Sequence, residues 1–233
     1  MLESQAFDRD LMLRWLGTAR TESFERQLQR TPVVDISIHN QRIAAALMED
    51  ISHCELALRN CLDFRLQERL TALDVADSWL TDPTKELEKF GGEGMNRKIL
   101  AARRNVMLQK KLAVHEDVLA ELSMGFWVEL MSKRLLPVNV DLLEAFEGLK
   151  GRDVRKLNWD LTQLKNLRNR VAHHHRVIHR DLLADYSLIL KVAKLIHPQL
   201  AKLIAITSRT PGLIEEFTQI TQAKSFSMPR EPH

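Results

Sequence analysis

Ile51-Ser52-His53-Cys54-Glu55-Leu56-Ala57-Leu58-Arg59-Asn60-Cys61-Leu62 sits inside a stretch, 35–73, that contains neither glycine nor proline. At about 3.6 residues per turn, Ile51, Leu58 and Leu62 fall on one helix face, and Glu55 falls on that face between them. The stretch predicts one long helix whose apolar stripe carries a carboxylate in need of a partner. The rest of the chain has the same character. Leu, Ala, Glu, Arg, Lys and Gln dominate, only 8 Gly and 7 Pro interrupt 233 residues, and aromatics make up 6%. The expected fold class is all-α, and a hydrophobic content of 45% is that of a globular protein, not of a disordered tail.

Working outward, one or two helices are expected over 8–29, closed by the Thr31-Pro32 step. The turn signals between Thr81 and Gly94 predict a mobile loop. Further helices are expected over 96–111 and over 116–133, the latter burying Leu119, Leu122, Phe126 and Leu130. Pro137 and the segment Gly148 to Gly151 punctuate the next connection. A helix over 152–175 carries Leu157, Leu161, Leu164 and Val171 at core spacing, another over 181–206 is bent or broken at Pro198, and a short one covers 213–222. No internal repeat is visible, so one domain over 1–224 with a disordered tail at 225–233 is the simplest partition.

Cys54 and Cys61 stand seven residues apart on the long helix. That places them roughly 10 Å apart along the axis, too far for a disulfide. Both are expected to be reduced and buried. No apolar run approaches the roughly 18 residues that span a bilayer, and Met1 to Gln5 has no cationic segment leading into an apolar one. The expectation is a cytoplasmic protein with no membrane association.

The net charge of +3 says little, but its distribution says more. No acid occurs from Gly94 to His115, where Arg97, Lys98, Arg103, Arg104, Lys110 and Lys111 stand, nor from Leu161 to Arg180, which holds Lys165, Arg168, Arg170, Arg176 and Arg180. Two such segments form a phosphate-binding surface if the fold joins them, or two solvated helix faces if it does not. Arg103, Arg104, Lys165, Arg170 and Arg176 are the expected RNA contacts.

Within the second segment, Asn169 and His173 are four apart and share a helix face, while Arg168 and His173 diverge by roughly 140° around the axis. An imidazole titrating near neutrality can take a proton from a ribose 2′-hydroxyl or give one to a leaving 5′-oxygen. Arg168 would neutralise charge on the phosphorus oxygens, and Asn169 would orient the histidine or the phosphate. Such chemistry needs no metal or other cofactor, and it requires RNA. The competing reading of His173-His174-His175, with His179 four residues on, is a metal site; a surface or capping role for His174 and His175 is the plainer one.

Arg168-Asn169-Arg170-Val171-Ala172-His173 resembles the R-N-x-x-x-H signature of HEPN ribonucleases. Glu55-Leu56-Ala57-Leu58-Arg59-Asn60, Met124-Gly125-Phe126-Trp127-Val128-Glu129-Leu130 and Trp159 are similar, in order and spacing, to the Abi-like (abortive infection) branch of that superfamily. The resemblance spans about 9–190. It implies a HEPN-type helical bundle with additional N- and C-terminal helices, a homodimer with the two motifs facing across a cleft, and metal-independent RNA cleavage in phage defence or as a toxin, under control of a partner RNA or protein. It makes Arg168, Asn169 and His173 catalytic and Glu55 and Arg59 supporting. Glu55 would orient Arg168 or His173, or pair with Arg59 one turn on. Phe126-Trp127 reads as core packing. Two other functions stay open on the residues themselves: a non-catalytic RNA-binding or regulatory protein, and a helical interaction protein whose Arg/His cluster is structural.

Overall fold

The computed structural model describes residues 8–27, 31–72, 78–81, 86–109, 112–135, 140–150 and 153–226, and every regular element among them is helical. In chain order these are α1 (Arg9–Leu16), α2 (Thr18–Gln27), α3 (Val33–Ala72), α4 (Glu86–Leu108), α5 (His115–Glu121), α6 (Met124–Leu130), a 3-10 turn (Val140–Ala145), α7 (Val154–Ala172), α8 (Leu182–Ile196), α9 (Pro198–Thr207) and α10 (Thr210–Phe226). The all-α expectation holds. Among the described residues no helix is long and apolar enough to cross a membrane.

Local chemistry explains where the helices stop. Asp8 caps α1 by accepting the Leu11 N–H at 2.7 Å, and Gly17, at φ +79°, turns the chain into α2. The loop expected over 81–94 is corrected: α4 already begins at Glu86, and the glycine signal is spent on one non-helical residue, Gly92 at φ 69°. Residues 82–85 lie outside the described ones. The helix expected over 116–133 divides into α5 and α6, because Leu122 and Ser123 are extended. Leu119, Leu122, Phe126 and Leu130 are nonetheless all buried. Pro198 starts α9, a position where its missing N–H costs nothing, and the His197 ring accepts the Gln199 N–H at 3.0 Å. α10 runs well beyond the expected 213–222, through positions 225 and 226 of the expected tail; 227–233 lie outside the described residues.

Backbone proximity gathers the described residues into two compact units. The described residues of the first lie within 1–50, 167–187 and 207–233. In it α1 packs on α2, and Met12, Phe24, Ile36, Ile43 and Leu47 are buried. Asp50, almost fully buried, accepts hydroxyl hydrogen bonds from Ser208 at 2.7 Å and Thr210 at 2.6 Å, which fixes the start of α10. Arg209 pairs with Glu49 at 2.6 Å beside them.

The second unit comprises 51–166 and 188–206. Its α3 segment buries Ile51, Cys54, Leu58, Leu62, Leu66 and Leu70, the stripe legible in the sequence. Both thiols are free; Cys54 is buried, whereas Cys61 is half-buried, and burial followed by the Glu147 charge pushes its pKa up. α4 packs on α5 and α6; Trp79 stacks on Phe126 and Trp127 meets both edge-on, with centroids 4.9–6.1 Å apart, so Phe126-Trp127 is core. Trp159, by contrast, is 64% exposed.

A Ser–His–Asp chain also occurs in this unit. Ser78 Oγ lies 2.7 Å from His115 Nδ1, His115 Nε2 lies 2.9 Å from Asp63, and Trp79 Nε1 donates to the same Asp63 oxygen at 2.6 Å. Ser78 is buried, however, and its oxygen already accepts the Leu80 N–H at 3.2 Å. The chain therefore ties 78–81 to α3 and α5 instead of arming a nucleophile.

Candidate functional site

The motif helix ends earlier than its sequence suggests. α7 stops at Ala172, not His175, because His174 adopts φ 54°, the left-handed conformation that usually selects glycine. The His174 N–H bonds the Val171 carbonyl and the His175 N–H bonds the Arg170 carbonyl, both at 2.9 Å. This is a Schellman closure, with His173 as the cap residue. The His173 N–H still bonds the Asn169 carbonyl at 3.0 Å, which leaves its side chain and that of Asn169 on the same exposed end of the helix. The His173 ring meets the His175 ring edge-on, centroids 6.4 Å apart. Among the described residues neither the Asn169 amide nor the His173 imidazole has a hydrogen-bonding partner.

Two contacts hold the turn that follows. Arg20, from α2, donates to the His174 carbonyl at 2.6 Å. Asn40, buried on α3, accepts the Val177 N–H at 2.8 Å and the Ile178 N–H at 3.4 Å. Sequence reasoning missed both residues, although Asn40 had a signal: it interrupts the apolar series Ile36, Ile43, Leu47 at helical spacing. Asn40→Ala would leave two buried N–H groups unpaired, at a cost of about 1–3 kcal/mol. Thermal unfolding should show a fall of about 2–4 °C per kcal/mol, with a smaller loss for Asn40→Asp, which keeps an acceptor oxygen.

Around the turn the basic residues converge. His179 has its pKa held below the ordinary 6.5 by burial first and then by the charges of Arg176, Arg170 and Arg180, with Asp185 opposing. Arg180 is neutralised by a bidentate pair with Asp185 at 2.6 and 2.7 Å, while no carboxylate pairs with Arg170 or Arg176 among the described residues. A depressed imidazole pKa means that the unfolded chain takes up its proton first. The contribution of His179 to stability is therefore present above pH 6.5 and lost as pH falls below it. Titration by NMR should find the His179 midpoint below 6.5 and moving upward in Arg176→Gln.

The other expected site residues lie in the second unit: Glu55 and Arg59 on α3, Arg103 and Arg104 on α4, and Lys165 on α7. Glu55 is half-buried, and Arg59 donates to Asn60 at 3.3 Å. The first basic segment is partly neutralised, since Lys98 pairs with Glu129 and Arg97 with Glu93 at 3.7 Å. Arg103 is half-buried and Arg104 exposed. The structure thus brings Arg168, Asn169, Arg170, His173 and Arg176 together in one unit and leaves the remaining five in the other. Among the described residues no group of three or more His, Cys, Asp or Glu side chains is placed to hold a metal ion.

A groove of about 740 Å³ opens beside the turn, walled by Val171, His174 and His175 on one side and by Gln41, Ala45 and Met48 of α3 on the other. Comparison of the chain with family models, with curated proteins and with solved structures found no match.

Proposed function

We propose that this chain is a metal-independent endoribonuclease of the HEPN type, belonging to the Abi-like, phage-defence or toxin class. The observation that carries the reading is the end of α7. There an exposed His173 and Asn169 share a helix end with Arg168, and Arg170 and Arg176 lie nearby with no carboxylate to neutralise them. A phosphodiester drawn to that charge would meet an imidazole able to accept the 2′-hydroxyl proton. The 2′-oxygen then bonds to phosphorus, a 2′,3′-cyclic phosphate forms, and the 5′-oxygen leaves with a proton returned by an imidazole. Arg168 stabilises the charge that builds on the phosphoryl oxygens.

With no hydrogen-bonding partner for the His173 ring among the described residues, a hydrogen bond that sets its tautomer would come from the RNA or from a second copy, which is the reason to place the site at a homodimer cleft. An antitoxin, RNA or protein, that covered this helix end would silence it. The same unoriented ring favours, as a second reading, a non-catalytic RNA-binding or regulatory protein using the same basic end.

Incubation of the full chain with end-labelled single-stranded RNA in EDTA separates the two. Cleavage leaving 2′,3′-cyclic phosphate or 3′-phosphate ends is the expected result. Retained binding without cleavage transfers the assignment to the second reading.

A further inference from the structure

We propose that the groove beside the histidine turn seats one unpaired nucleotide, its base on the apolar floor of α3 and its phosphate toward Arg20 and the imidazoles. The inference rests on RNA being the ligand of the α7 end, not on cleavage. Three features of the groove lead to it.

Its floor is small and apolar. Ala44, Ala45 and Met48 occupy adjoining turns of α3, where methyl groups leave open space and a thioether adapts to a flat ring. At about 740 Å³ the groove has the size of a small-ligand pocket and admits a single base, not a duplex. Double-stranded RNA is read across its minor groove, whereas unpaired bases are taken into concave sites and stacked on aromatic, imidazole or guanidinium planes.

Its charge has one sign. Arg20, His174 and His175 line it together with the Gln41 amide, and among the described residues no carboxylate does. An amide beside an apolar floor suits the edge of a base, which neither an inorganic anion nor a purely apolar ligand would use.

Its wall is already built. The Schellman bonds, the Arg20 latch on the His174 carbonyl and the Asn40 clamp on Val177 and Ile178 hold the turn through bonds of the chain itself. Little ordering is left for binding to supply. His173 directly precedes the wall residue His174, so a nucleotide in the groove would set the register of the chain entering the proposed site.

Ala45 is exposed on α3, so substitution there leaves the packing intact. Ala45→Glu places a carboxylate in the acid-free groove, and Ala45→Gln adds the same bulk without charge. Anisotropy with a labelled single-stranded RNA of ten nucleotides should show at least tenfold weaker binding by Ala45→Glu, a smaller loss by Ala45→Gln, and unchanged circular dichroism for both. Amide shifts at Ala44, Ala45 and Met48 on adding a mixture of the four nucleoside monophosphates would place the nucleotide in the groove directly. If those shifts appear but the oligonucleotide does not bind, the occupant is a free nucleotide and the RNA source is overturned. If both Ala45 variants bind RNA like the native chain while Arg176→Gln does not, the groove is overturned and RNA binding at the α7 end survives. Absence of binding to either probe overturns both.

Discussion

If the chain is the proposed ribonuclease, His173→Ala is expected to lower the rate of RNA cleavage by about 10³-fold, within the range of about 10²–10⁴ that a positioned proton donor or acceptor contributes, and to leave RNA affinity nearly unchanged. The separation follows from where His173 stands. As the cap residue of α7 it is exposed, and the hydrogen bonds that close the helix run through the backbone N–H groups of His173, His174 and His175. Removing the ring should therefore leave the helix closure in place. On the proposed reading phosphate attraction would come from Arg170 and Arg176, which the substitution does not touch. Single-turnover cleavage in EDTA, with binding measured by anisotropy under the same salt, checks both halves. Loss of affinity in step with loss of rate would assign His173 to binding, and a lowered melting temperature with no change in either would assign it to the fold.

Gly148→Ala is expected to destabilise the second unit by about 3 kcal/mol, at the upper end of overpacking costs. A Cβ at this position would lie 1.8 Å from the Lys194 carbonyl oxygen, 2.8 Å from its carbon and 3.1 Å from the Leu195 oxygen. All three are backbone atoms, so no side chain can rotate away. The approach is this close because the Glu147 and Gly148 N–H groups, each at 3.1 Å, satisfy the Ile196 and Leu195 carbonyls that the end of α8 leaves open. Moving the loop outward to admit a methyl group breaks both bonds. Thermal unfolding should fall by about 2–4 °C for each kcal/mol lost. Gly125→Ala is the control. Its Cβ would meet only Ser123 Oγ, at 3.5 Å, and within helix α6 alanine should be neutral or gain about 0.5–1 kcal/mol.

Much of the architecture was legible because it depends on neighbours in sequence. The stripe Ile51, Leu58, Leu62 on α3 and the stripe Leu157, Leu161, Leu164, Val171 on α7 are buried where their spacing placed them. Where sequence reading erred, a local signal had been given the wrong weight. Gly91 to Gly94 looked like a loop, yet one residue at positive φ was enough and α4 runs on either side of it. At the other end, α7 stops at a histidine in the left-handed conformation, with no glycine to announce the closure.

The helical class, the buried faces and the grouping of Arg168, Asn169 and His173 on one helix end follow from the order of residues alone, because helix formation and facing are set by periodicity over a few turns. Packing settled what lies against that end and, in the second unit, what confines Gly148. Asn40 reaches Val177 across 137 positions, Arg20 reaches His174 across 154, and Gly148 is confined by the far end of α8. Each depends on backbones brought close by packing many residues apart, and no local pattern of residues encodes that distance.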